Sequence, residues 1–136
     1  HIGIANEIEI NKNGIKHPLY KNKDKKFNSP AFNFDEVVKI PDKGICLASN
    51  KINKVQGLYF EVNKTKIWGL QYHPEITYEK MINLIEFRKE RLIESRKVFK
   101  DDTEVQKHIA FIKKEISVSD KEKRMLELKN WLNELN

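Results

Sequence analysis

Apolar residues change their spacing once along this chain, near residue 76, and the change predicts strands followed by helices. Ile4, Asn6, Ile8 and Ile10 alternate with Ala5, Glu7 and Glu9, the two-residue period of a strand with one polar edge. Residues 11–14 (Asn-Lys-Asn-Gly) read as a turn, and residues 21–26 as a polar loop. The aromatic stretch 27–34 is broken by Pro30, which has no N–H to give a ladder, so it cannot be a central strand throughout. After the Asp42-Lys43-Gly44 turn, residues 45–49 form an apolar strand. Residues 55–62 and 67–72 then pair as a hairpin across Asn63-Lys64-Thr65. From about Tyr78 the three- and four-residue steps of helices take over. Thr77 caps a helix carrying Met81, Leu84, Ile85, Arg88 and Leu92, and Asp102 caps a second carrying Val105, Ile109, Ile112 and Ile116. Ser119 and Glu122 form the capping box of a third helix, which is expected to bury Met125, Leu128, Leu132 and Leu135.

Composition narrows the class. The chain has 136 residues, which suits one domain or part of one, and carries a formal charge of +6. Its lysines are scattered among asparagines and glutamates, without a basic block or an aromatic platform, so no nucleic-acid partner is expected. No apolar run is long enough for a membrane span and the start lacks the build of a signal peptide, so the expectation is no membrane and a cytoplasmic location. A single cysteine, Cys46, excludes an internal disulfide and a Cys-rich zinc site. The helical stripes read as packing faces, and no cofactor is expected.

The stretch 66–75, Lys-Ile-Trp-Gly-Leu-Gln-Tyr-His-Pro-Glu, holds the candidate chemistry. Pro74 fixes its own φ and biases His73 towards extended backbone, so the side chains of His73 and Glu75 can point to one side. An imidazole beside a carboxylate suits a general base: Glu75 fixes the tautomer and leaves the other ring nitrogen free to take a proton. The competing reading has His73 packing against Trp68 and Tyr72, with Glu75 as the charge ahead of the Thr77 helix. His17 also precedes a proline but has no carboxylate two residues on, and reads as structural. Cys46 invites assignment as a nucleophile, yet it sits in an apolar run with no glycine after it. A sharp strand-to-helix turn would be needed to present a nucleophile, so Cys46 reads as a buried structural thiol.

Gly69, Gln71, Tyr72, His73, Pro74 and Glu75 resemble the strand ending Gly-x-Gln-[Tyr/Phe]-His-Pro-Glu of class I glutamine amidotransferases, including those of GMP synthases. In that family the His and Glu belong to a Cys-His-Glu triad. Further matches lie at His17, Pro18, Leu19 and Tyr20; at Asp35, Glu36, Val37 and Pro41; and at the tail residues Arg124, Glu127, Asn130, Trp131 and Leu132. Asn33 stands where the family usually has a His. The resemblance implies an α/β fold, the C-terminal part of a flavodoxin-like domain, with residues 1–76 belonging to its core and 77–136 forming a helical segment of the same domain. It implies catalytic roles for His73 and Glu75, a glutamine pocket near Phe32 and Asn33, and a synthetase domain or subunit that accepts ammonia. The family's Gly-x-Cys-x-Gly elbow is absent from these residues. The expectation is therefore a fragment of a longer glutaminase, inactive by itself, with a non-catalytic amidotransferase-like binding or regulatory module as the alternative.

Overall fold

Five strands, β1 (Ala5–Ile10), β2 (Lys26–Ser29), β3 (Ile45–Ser49), β4 (Gly57–Val62) and β5 (Thr65–Leu70), make one sheet in the order β2-β1-β3-β4-β5 in a computed structural model that describes residues 1–135. Each pairing is antiparallel. Helices follow the sheet: α2 (Tyr78–Phe87), a π-helical turn at Arg91–Ser95, α3 (Asp102–Val118), α4 (Lys121–Arg124) and α5 (Leu126–Glu134). The architecture is mixed α/β, strands first and helices after, and is compatible with the C-terminal part of a flavodoxin-like domain. No described helix is long and apolar enough to cross a membrane.

The alternation along β1 is interrupted. Glu7 has φ 52° where the register against β2 shifts, and Ala5, expected on the polar side, is fully buried with Ile8 and Ile10. Pro30 closes β2, which lies at the sheet edge as its proline requires. Residues 11–14 do not form a simple turn. Asn11 accepts from the N–H groups of Asn13 and Gly14 and starts the short helix α1 (Lys12–Lys16). The β4–β5 hairpin closes on two residues, since Val62 pairs with Thr65; Asn63 and Lys64 have φ 49° and 67°, as in a type I′ turn.

Among the described residues the buried apolar side chains gather in two clusters. One joins Ile8, Ile10, Leu47 and Ala48 of the sheet to Leu19, Tyr20 and Tyr72. The other packs Tyr78 and Ile85 of α2, Leu92, and Val105, Ile109 and Ile112 of α3 around Ile4. Gly3 packs against the second: its φ of 83° strains any side chain, and a Cβ there would stand 2.7 Å from Ile112 Cδ1 and 2.8 Å from Ile85 Cδ1.

Three expectations for the helices are corrected. Asp101, not Asp102, caps α3, accepting from Glu104 N. Ser119 ends α3 instead of opening the next helix, and Asp120 caps α4. In α5 the buried positions are Glu127 and Asn130, whereas Leu132 and Leu135 are exposed. This helix docks through polar anchors, and the spacing of its leucines does not mark its inner face.

Candidate active site

His73 lies three residues beyond the end of β5, where the chain leaves the sheet. The sheet still holds this exit: Gln71 N donates to Gln56 O at 2.9 Å, and His73 N donates to Pro30 O at 2.7 Å. Ile76 N donates back to His73 O at 3.1 Å, closing a tight turn around Pro74 and Glu75 ahead of the Thr77 cap of α2. Within that turn His73 Nδ1 stands 2.8 Å from Glu75 Oε1. Both side chains are about half exposed, at 45% and 49%. The carboxylate favours a proton on Nδ1 and leaves Nε2 as the basic nitrogen, with no protein partner among the described residues.

Asn33 and Phe32, both expected near a substrate pocket, lie on the segment next to this exit but turn to different neighbours. Asn33 Nδ2 donates to Gln71 Oε1 at 2.7 Å, two residues before His73. Gln56, fully buried, continues the polar cluster, its Nε2 lying 2.8 Å from His1 Nε2. Phe32 packs against the helix-side core and Phe34, with the Arg88 guanidinium 5.3 Å from its ring centroid.

Behind the His73 loop sits a network that neither spacing nor motif pointed to as a unit. Tyr72, 2% exposed, donates from its hydroxyl to Glu127 Oε1 at 2.7 Å and lies 3.0 Å from the Tyr20 hydroxyl. The second oxygen of Glu127 pairs with Lys23 Nζ at 2.9 Å, and the same ammonium donates to Lys123 O at 2.8 Å. Burial raises the pKa of both tyrosines, so their hydroxyls stay protonated and can donate. Burial also lowers the Lys23 pKa, while the Glu127 charge pulls it back up. Arg124 Nε donates to Pro74 O at 3.0 Å, and Asn130 Nδ2 donates to Leu19 O and Lys21 O, each at 2.9 Å. Arg124 ends α4, whereas Glu127 and Asn130 lie three residues apart in α5. The tail resemblance matches the same three residues, without implying which partners they bond.

Cys46 is remote from the pair. It stands opposite Leu58, which stands opposite Gly69, so two strand spacings, about 10 Å, separate it from β5 even before the advance to His73. Its thiol is half-buried rather than fully covered, contacts Ala48 O and Lys54 O, and burial pushes its pKa up. His17 is a packing and capping residue: its Nδ1 accepts from Leu19 N, and its ring lies 4.9 Å from that of Tyr59 and 5.0 Å from that of Trp68. A cleft of about 300 Å³ between β2 and the α3–α4 junction is lined by charges of both signs and contains neither His73 nor Glu75. Among the described residues no three His, Cys, Asp or Glu side chains gather as a metal site would require.

No family model matches the chain. It is 30% identical over 73 residues to a gamma-glutamyl-L-1-hydroxyisopropylamide hydrolase of a Pseudomonas species, a match covering 54% of this chain and 24% of that protein. Over 71 residues it is 37% identical to a subunit of the glutamine-hydrolysing GMP synthase of Methanocaldococcus jannaschii, covering 52% of this chain and 36% of that relative. The matches thus span about a quarter and about a third of the two relatives. They support a glutamine amidotransferase-like relationship, at low identity and over about half of the chain.

Proposed function

We propose that the protein containing this chain hydrolyses the side-chain amide of glutamine, with His73 as general base and acid and Glu75 as its orienting carboxylate. The observation that carries the reading is the 2.8 Å approach of Glu75 to His73 Nδ1 just beyond the end of a strand, with no partner on Nε2 among the described residues. In the proposed reaction a thiol gives its proton to Nε2 and its sulfur attacks the amide carbon. The tetrahedral adduct then collapses, the C–N bond breaks, and the imidazolium returns the proton to the departing nitrogen as ammonia. Water, losing a proton to His73, attacks the thioester; the C–S bond breaks, glutamate leaves, and the imidazolium returns the proton to the departing sulfur. Cys46 does not fit the role of that thiol, being distant and held protonated by burial, so the nucleophile belongs elsewhere in the protein.

Phe32 and Asn33 are proposed to line the glutamine pocket; the bond from Asn33 to Gln71 supports that placement. Residues 1–76 and 77–136 are proposed to be two parts of one domain, a reading supported by the bond from Arg124 to Pro74 O and by that from the Tyr72 hydroxyl to Glu127. That the GMP synthase relative is itself one subunit of its enzyme favours a synthetase domain or partner subunit that receives the ammonia. In the complete protein His73→Ala should lower glutamine turnover by about 10² to 10⁴-fold with the melting temperature held, and Glu75→Gln by less. A lower melting temperature with unchanged turnover per folded molecule would instead assign His73 to packing.

A further inference from the structure

We propose that the C-terminal helices position the His73 imidazole, with Glu127 and Arg124 as positioning residues that grip the chain on both sides of it. The inference rests on the reading of His73 as a general base.

The ring is weakly held by its own contacts. It is nearly half exposed, and its hydrogen bond within the protein goes to Glu75, which is equally exposed. Its direction is therefore set mainly by the backbone that carries it, and three consecutive residues of that backbone are tied down. Tyr72 is fixed by its hydroxyl on Glu127, His73 by its N–H on Pro30 O, and Pro74 by its carbonyl on Arg124 Nε. Two of the three ties come from residues 124 and 127, on either side of Met125 where α4 gives way to α5.

A packing role alone would not call for these side chains. Apolar residues of similar volume fill such a site as well as a buried ion pair, which must overcome the desolvation of both partners. Here a fully buried carboxylate is instead given Lys23 as counter-charge and the Tyr72 hydroxyl as donor. The directional bonds fix where Tyr72 sits, which apolar contact does less sharply. A displacement of about 1 Å at a reacting group costs on the order of 10²-fold in rate, so a fraction of that is enough to be read in turnover.

The test uses the complete protein, with glutamine hydrolysis followed by ammonia release. Arg124→Ala and Tyr72→Phe should each lower kcat by about tenfold, the cost of a sub-ångström displacement, with KM nearly unchanged. The same changes made on His73→Ala should lower turnover no further, because a base that is absent cannot be displaced. Equal losses in both backgrounds, or no loss in either, would overturn the inference. An unchanged rate for His73→Ala alone would remove the base assignment itself, a separate outcome that also ends the positioning role. Should Tyr72→Phe fold poorly, Arg124→Ala still decides the matter, read together with hydrogen exchange at the His73 amide: faster exchange there, with α2 amides unchanged, is the expected result, and unchanged exchange at His73 counts against it.

Discussion

Glu127 and Lys23 are almost fully shielded from solvent, so each depends on the other for charge neutrality. Glu127→Ala strands the ammonium in a dry site and should destabilise the fold by about 3–5 kcal/mol, measured by urea denaturation, whereas Glu127→Leu combined with Lys23→Met should cost much less. At Cys46 burial raises the thiol pKa, so the thiolate fraction at neutral pH falls below that of a free cysteine. Alkylation of native protein by iodoacetamide at pH 7 to 8 should accordingly run slower at Cys46 than on the unfolded chain; a faster reaction would mark an activated thiol. The His73–Glu75 approach was legible because its two members are two residues apart and a proline between them limits the backbone. The Glu127 site was not, since its partners Tyr72 and Lys23 lie 55 and 104 positions away.

Elements whose chemistry is local follow the expectations most closely. The β4–β5 hairpin needs φ > 0 at both turn residues, and Lys64 at φ 67° has a conformation that glycine adopts more easily. Lys64→Gly should stabilise the protein by up to about 1 kcal/mol, read as a shift in denaturation midpoint, the more so because Asn-Gly is the preferred pair in such turns. Thr77 caps α2 as its position before the apolar stripe implied. Where two capping residues stand together, as at Asp101 and Asp102, the pattern does not choose between them. The bond from Asp101 Oδ1 to Glu104 N does, and Asp101→Ala should cost about 1 kcal/mol where Asp102→Ala costs less on capping grounds. Helix α5 misled for a different reason: leucine spacing finds a face that meets apolar surface, but this helix meets the open carbonyls of Leu19 and Lys21 and a buried tyrosine.

At the scale of the molecule, the division into a sheet and a helical tail was visible in the change of period, whereas the strand order was not. Only the β4–β5 hairpin is a neighbour in both sequence and space across a tight turn; placing β1 between β2 and β3 depends on contacts between distant residues. The helices meet the residues ahead of β1 at Gly3, beside Ile85 and Ile112, and the exit of β5 at Tyr72, whose hydroxyl donates to Glu127. In the proposed reaction His73 activates a thiol other than Cys46 towards glutamine. An electrophilic glutamine analogue, such as a diazoketone, incubated with the complete protein and followed by peptide mass spectrometry tests that role most directly. The expected result is a single adduct on a cysteine outside these 136 residues, formed about 10² to 10⁴-fold more slowly in His73→Ala, with Cys46 unlabelled. An adduct on Cys46, or a labelling rate indifferent to His73→Ala, would contradict it.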